Sequence, residues 1–562
     1  MRILKEIPPP QSKNKFVALD VEIFGLNSKQ LHRPTSGKFA CLSIAIEPDE
    51  VYVVEDITLL YEVLANINDT VYCFHNAKFD IRHLRRWIPI EPRKKLWDTM
   101  LLERIMWGGY YDLFALEHLA RRYLDIKMDK SAQKSFEDAT ELSDEQIHYA
   151  ALDASITLQI ALAQRKVIRK KDFEVWKKID LPALWAYLDF QGFAINVADW
   201  KALAEKNEKR AKDFEEKLPY NPRSPKQVKE TLAKKGFKRI PNTGEETLKK
   251  FIDKFPDVPA TQLAEDTLES RKYYTRASRY GTKFIEDYLE HDVQFDVDMI
   301  YCDYHIIGAE TGRTASSKPN MQNIPARDTN EFRNCFTARS GNVLLVCDYS
   351  QQEPGVSAHL TQDQNLIDII NSGQDIYILV AERIFGEIIK KGDKRRKTMK
   401  ALVLGTNYGM SPWGLAAREG MTKGEAGKMI HRYFRAFPGV ATWTNHQSRR
   451  KDYVETAMGR RIWLNRYSSQ VERNALNAPI QGTAADMTKL AVAKLHQNWK
   501  YPYPFPVVAT VHDEIVLDVP KKHATKIAKF VKKTMEDAAQ EVCPSVVIRA
   551  DVAIGSTWGV KE

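Results

Sequence analysis

Short apolar runs open the chain: residues 16–21 (FVALDV), 39–46 (FACLSIAI) and 51–54 (VYVV). Runs this short and this rich in β-branched residues predict buried strands. Apolar residues spaced three and four apart then predict helices over 111–124 and 144–164, with a connecting helix at 172–190. Residues 199–290 are rich in Lys and Glu and helical in pattern, broken at NPRSPKQ and IPNTGEE. Ser224-Pro225 and Thr243-Gly244-Glu245-Glu246 read as helix starts with capping residues. Strand character returns at 341–349 and 506–519, and 375–445 reads as mainly helical. The pattern is that of an α/β segment followed by a longer mixed part, without repeats or low-complexity tracts.

The length, 562 residues and 64.6 kDa, predicts about three to four domains. Hydrophobic residues at 43% and charged residues at 28% exclude a mainly disordered chain. The six cysteines form no C-x-x-C pair, which argues against a disulfide scaffold or zinc module and fits a reduced cytoplasm. No apolar run reaches the ~18–20 residues needed to span a bilayer, so no membrane partner is expected. The start has no long apolar segment of the kind that directs secretion. The net charge of +10 is unevenly distributed: residues 1–165 hold 21 basic and 24 acidic side chains, the remainder 63 and 50. Residues 201–250 alone carry 15 basic against 8 acidic. An anionic partner is therefore expected along the second part.

Asp20 and Glu22 stand two apart at the end of the first strand, so they share a face and can meet one metal. H-N-A-K-F-D places Asp80 on a helix after the strand VYCF. Y-A-A-L-D sets Tyr149 and Asp153 four apart on one helical face. Hard divalent cations take carboxylate oxygens, and two of them can activate a water and stabilise a departing 3′ oxygen. Tyr149 could help place that water. Asp98-Thr99 is a further, weaker signal.

A second set lies downstream. The strand NVLLVCDYSQQE ends at Asp348, and the hairpin-like VVATVHDEIVLDV puts His512, Asp513 and Glu514 at its turn. Two acids at separate strand ends suit a second two-metal site. Between them, Arg396, Lys400, Leu404 and Tyr408 fall at successive four-residue steps of RRKTMKALVLGTNYG. Each step drifts only ~40° round a helix, so the four share a broad face, cationic at one end and apolar at the other.

The order D-x-E, N-x-x-x-D, Y-x-x-x-D resembles the motifs of DEDD-type 3′→5′ exonucleases of the tyrosine subclass. D-Y-S-Q-Q-E, R-x-x-x-K-x-x-x-x-x-x-x-Y-G and V-H-D-E resemble the palm and fingers motifs of family A DNA polymerases. TGRTASSKPNMQNIP (311–325), DIYILVAERIFG (375–386), YVETAMGRR (453–461) and ERNALNAPIQGTAAD (472–486) fill the intervals. The resemblance runs from about residue 180 to the C-terminus. It implies that Asp348 and Asp513 bind metal, with the Tyr349 carbonyl as a further ligand. Arg396 and Lys400 would grip the triphosphate, with Gln351 and Leu404 also at the nucleotide. Tyr408 would lie near the templating position, and Glu353 under the sugar C2′, excluding ribonucleotides. Arg313, Arg473, Gln481 and His512 would contact DNA near the primer terminus. Asn320, Gln322, Asn323 and Arg327 would line the template path, and Asn477 the nascent pair. Two departures stand out: Leu404 where relatives carry Phe or Tyr, and Pro354-Gly355 where they often continue Leu-Arg.

The resemblance implies a multidomain α/β and α+β chain, an RNase H-like exonuclease followed by a right-hand polymerase. The expected division is 1–165 exonuclease, 166–198 connecting helix and palm entry, 199–290 thumb, 291–370 first palm part, 371–445 fingers, and 446–562 second palm part. The expected activity is primer extension with dNTPs and 3′→5′ proofreading, using two Mg²⁺ at each site, with Mn²⁺ able to substitute. Expected partners are primer-template DNA, dNTPs and other replisome proteins. A monomer is expected. The short plan, without the 5′-nuclease of larger relatives, resembles bacteriophage replicative enzymes in a host bacterial cytoplasm; the alternative is a repair or gap-filling polymerase.

Overall fold

A computed structural model of the chain describes residues 1–26, 36–90, 95–326 and 330–560. It divides into two compact units. The first comprises 1–191, 302–322 and 345–553, and the second 192–301, 323–344 and 554–562.

In the first unit, a six-stranded sheet is built from β1 (Arg2–Leu4), β2 (Phe16–Phe24), β3 (Lys38–Glu47), β4 (Glu50–Val54), β5 (Val71–Phe74) and β6 (Leu96–Asp98), in the order β1-β4-β3-β2-β5-β6. β2 pairs antiparallel with β3 and parallel with β5. It is therefore central, and its FVALDVEIF sequence is buried along most of its length. β2 runs to Phe24, beyond the 16–21 run, so Asp20 and Glu22 lie inside the strand and not at its end. Four helices flank the sheet and carry site residues: α1 (Ala77–Leu84), α2 (Thr99–Trp107), α3 (Leu116–Leu124) and α4 (Asp144–Val167). α3 begins at Leu116 and not near 111, because Gly108 and Gly109 lead into a turn held by Tyr110 N–H and Tyr111 N–H to the Trp107 carbonyl. α4 starts at a capping box: Ser143 accepts from the Gln146 N–H while Gln146 accepts from the Ser143 N–H.

The same unit holds a four-stranded sheet of β7 (Asn342–Tyr349), β8 (Val507–Val511), β9 (Glu514–Pro520) and β10 (Ala550–Gly555), ordered β8-β9-β7-β10. β8 and β9 pair antiparallel, with Val511 opposite Glu514, so His512 and Asp513 form a two-residue turn. His512 takes φ 59°, which lets the hairpin close in two residues. α5 (Gln352–Thr361) and the long α7 (Val471–Gln497) pack on each other, and α6 (Lys394–Asn407) packs on both. Pro354 sits in the first turn of α5, where no helical N–H is required of it, so the Pro-Gly departure leaves the helix start intact. A β-carbon at Gly355 would come 2.6 Å from the Ile548 side chain, so only glycine permits that packing.

The second unit is helical, with Val197–Lys217, Pro225–Lys234, Glu245–Lys254, Pro259–Tyr280 and Thr282–Tyr288 beside a small three-stranded sheet. Ser224 caps its helix through the Gln227 N–H, whereas Gly244, and not Thr243, holds the next capping position. The helices close on Val228, Leu232, Phe237, Ile240 and Leu248, all fully or almost fully buried.

Candidate active sites

Asp20 and Glu22 project from one face of β2 by the two-residue period of a strand. Asp153 reaches the same point from α4. One oxygen from each of the three lies within 4.8 Å of the others. Asp80, from α1, is 3% exposed and accepts the Val21 N–H at 3.0 Å, which pins it to β2 beside the other acids. Tyr149, one helical turn before Asp153, bonds to its carboxyl. Asp98 is fully buried and accepts from the Leu101 N–H at 2.9 Å, capping α2, and from the Ala77 N–H at 2.8 Å, bracing the start of α1. The D-T dipeptide thus aims the helix that carries Asp80.

The electrostatics suit a cation. Burial, with the charge of Asp153 beside it, pushes Asp20 up to about 8. Burial also raises Asp153 to about 6, and burial with the neighbouring acids lifts Glu22 and Asp80 well above the carboxylate range. The Asp20 Oδ2 and Asp153 Oδ1 atoms are buried without a hydrogen-bond partner. Uncompensated buried carboxylate oxygens are costly. An all-oxygen donor set of this kind fits Mg²⁺ or Mn²⁺.

At the second site, Asp348 is the penultimate residue of β7 and Asp513 occupies the β8–β9 turn. Their carboxyls are close enough to share a hydrogen bond. Asp348 opens to the cleft, yet loss of water around its carboxyl, with Asp513 and Glu514 beside it, pushes it up to about 8. Burial also raises Asp513. This pair too fits a divalent cation. Tyr349 is buried, and its hydroxyl donates to the Met535 carbonyl at 2.8 Å.

Glu353, on α5, is the centre of a polar cluster. It accepts from Arg313 at 2.9 Å and from the Tyr408 hydroxyl at 3.1 Å, and Gln481 donates to that hydroxyl at 3.4 Å. Tyr408 is the cap residue after α6, one position beyond the helix that carries Arg396, Lys400 and Leu404. Arg396 pairs with Asp375 at 2.6 Å, and both Arg396 and Lys400 lie over the Tyr377 ring, at 5.6 and 5.8 Å. Asp375 and Tyr377 were not singled out in the sequence; they hold the two cations extended. Leu404 is half-buried on the same helix. Gln351, exposed at φ 57°, begins α5.

Arg473 donates to the Tyr408 carbonyl at 3.3 Å, and Asn477 keeps a buried, unpartnered Oδ1. Asn320 accepts from Ser316 Oγ at 3.2 Å, and Gln322 donates to the Thr314 carbonyl at 3.0 Å. A cavity of about 260 Å³ beside Asp513 is lined by Arg313, Gln322, Glu353 and His512, together with Tyr187 and Thr510. Asn323 belongs to the second unit, where its carbonyl accepts from Tyr280. Arg327 lies outside the described residues.

Lys130 went unnoticed in the sequence. It precedes a 3-10 turn, Ser131–Phe136, and its charge acts on Asp20, Glu22 and Asp153. A lysine within KMDKSAQKS carries no spacing signal.

Among the described residues, two groups of carboxylates stand on separate sheets, and both offer the oxygen donors of a metal-dependent enzyme with two sites. A model described as "DNA polymerase family A" matches residues 196–560, and one for a 3′-5′ exonuclease matches residues 4–169. The chain belongs to DNA polymerase family A and carries a 3′-5′ exonuclease domain ahead of the polymerase. It is 28% identical to DNA polymerase I of Aquifex aeolicus over 544 residues, 91% of each chain. It is 32% identical to DNA polymerase I of Pseudomonas aeruginosa over 525 residues, 86% of this chain but only 56% of that relative. The fold matches the POL domain of Pol1 from M. smegmatis, solved in complex with DNA primer-template and dNTP. There the TM-score is 0.81 at 24% identity, covering 97% of this chain and 95% of the other.

Proposed function

We propose that the chain extends a DNA primer with dNTPs at the Asp348–Asp513 site and removes mispaired 3′ ends at the Asp20–Glu22–Asp80–Asp153 site. The observation that carries this is the presence of two separate carboxylate clusters in one chain, the first with buried oxygens left unpartnered. Mg²⁺ bound at each would polarise the attacking hydroxyl or water and neutralise the leaving oxygen. The side chains do the rest. Arg396 and Lys400 receive the triphosphate. Glu353, fixed by Arg313 and Tyr408, fills the space a ribose 2′-hydroxyl would need. Arg313, Gln481, Arg473 and His512 contact the DNA near the primer end, and Asn477 the nascent pair. Tyr149 orients the water at the excision site. The Lys-rich helices at 199–290 serve as the thumb, clamping duplex phosphates, with palm and fingers divided as the motifs imply.

Primer extension by the purified protein with Mg²⁺ and dNTPs is the direct test, and failure to extend a primed template refutes it. Asp20→Ala with Glu22→Ala should abolish degradation of a mismatched 3′ end and spare synthesis, and Asp513→Ala should do the reverse. Loss of both activities from either change would contradict the two-site assignment.

Two roles are open to such an enzyme. One is gap filling or repair. Replication in the manner of a bacteriophage enzyme, monomeric in the bacterial cytoplasm and aided by other replisome proteins, requires long synthesis. Copying a singly primed kilobase circle with trap DNA present separates the two.

A further inference from the structure

We propose that Lys130 is a further catalytic residue of the excision site, its ammonium donating hydrogen bonds to a non-bridging oxygen of the phosphodiester being cut. The inference rests on the exonuclease reading above.

The backbone around Lys130 is fixed against both elements that carry the carboxylates. Asp129 accepts the Ser131 N–H at 2.9 Å and sets the turn. At the far end, the Phe136 ring lies 6.2 Å from Phe24, on the strand of Asp20 and Glu22, and 6.2 Å from Tyr149, on the helix of Asp153. The Gly25 N–H bonds to the Phe136 carbonyl at 3.2 Å, and Gln146 donates to Ser135 Oγ at 2.8 Å. The segment therefore bridges β2 and the start of α4 beside the metal-binding triad.

The side chain is placed as well. Its Nζ pairs with Glu117 Oε2 of α3 at 3.0 Å, and it keeps 27% of its surface exposed. Glu117 thus acts as a positioning residue, holding a cation at the open rim of the cluster. Lys130 lowers the protonation tendency of Asp20, Glu22 and Asp153, which places its charge within reach of all three.

The chemistry requires such a charge. Four carboxylates balance two divalent cations. The phosphodiester brings one negative charge, and attack by water adds a second across the phosphoryl oxygens. The attacking water gives up one proton to solvent as its oxygen bonds to phosphorus, the P–O3′ bond breaks, and its electron pair leaves with the 3′ oxygen, which takes a proton from solvent. Lys130 donates hydrogen bonds to the phosphoryl oxygens and neutralises the developing charge, as positioned donors do at such centres.

The test uses the full chain. Lys130→Met should slow the maximal excision rate of a single-stranded 3′ end on the order of 10²-fold, with KM moving by less than about threefold. Lys130→Arg should restore most of the rate. Mn²⁺ titrated into protein also carrying Asp348→Ala and Asp513→Ala should bind the Lys130→Met form more tightly, because a neighbouring cation is gone. Excision by Lys130→Met within about twofold of the parent overturns the proposal. So does slow excision that arginine does not rescue and that comes with weaker Mn²⁺ binding, the signature of a scaffold defect. Retained excision in Asp20→Ala with Glu22→Ala would instead refute the underlying exonuclease reading.

Discussion

At the scale of single residues, burial and mutual repulsion set the carboxyls gathered around Asp20 toward their protonated form. Asp20 stands at about 8 and Asp153 at about 6, against 3.8 for an ordinary aspartate. A carboxyl with its folded pKa raised binds protons in the folded state that the unfolded chain has released. Metal-free stability therefore falls as pH climbs from about 4 to about 8. Mn²⁺ or Mg²⁺ takes the place of those protons, so the gain in Tm on adding metal should widen across the same window, as differential scanning fluorimetry at stepped pH would show. Asp20→Asn should raise the metal-free Tm at pH 8 by roughly 2–4 °C per kcal/mol of repulsion relieved. It should also shrink the metal-induced gain. An unchanged or lower metal-free Tm would contradict the burial argument.

At the scale of elements, what matters is how helices are aimed at the sheet. Asp98 caps α2 and braces α1, and so sets the position of Asp80 through two backbone amides and not through any contact with it. Asp98→Ala should cost about 1 kcal/mol for the lost cap. It should also lower excision by up to about 10²-fold through misplacement of Asp80, measured as single-turnover degradation, while primer extension holds. α1 is anchored at its other face as well: Lys78 is buried and pairs with Asp303 on the Asp303–His305 strand. Trp107, at the end of α2, stacks on Trp463 of the Arg461–Trp463 strand at 5.4 Å. The exonuclease elements and the four-stranded sheet fall in one compact unit.

At the scale of the whole first unit, a buried ion cluster ties distant stretches together. Arg460 bonds Asp180 at 2.6 Å and Asp486 at 2.7 Å, and Lys489 bonds Asp180 at 2.5 Å. All four side chains are 2% exposed or less. Burial works against the charge of Asp180, but Arg460 and Lys489 overcome it and hold its carboxyl below the usual range. Arg460→Met would leave two buried carboxylates facing one lysine, with an expected loss of about 3–5 kcal/mol. A denaturant midpoint for this unit within error of the parent would refute that. The cluster joins the connecting helix to α7 and the 453–463 hairpin, so its loss should impair extension and excision together, unlike the site variants.

The sequence by itself determined the chemistry-bearing motifs and the elements that carry them. Residue type and two- or four-residue spacing decide which side chains share a face, and that is local geometry. β2, α4, α6 and the β8–β9 turn were all legible for this reason. The tertiary structure alone decided which faces meet. It brought Asp153 to Asp20 and Glu22, set Asp375 against Arg396 and Tyr377 beneath Arg396 and Lys400, and paired Lys130 with Glu117. These contacts join residues tens to hundreds of positions apart. They are selected by the packing of buried surfaces and the pairing of buried charge, which no local pattern records.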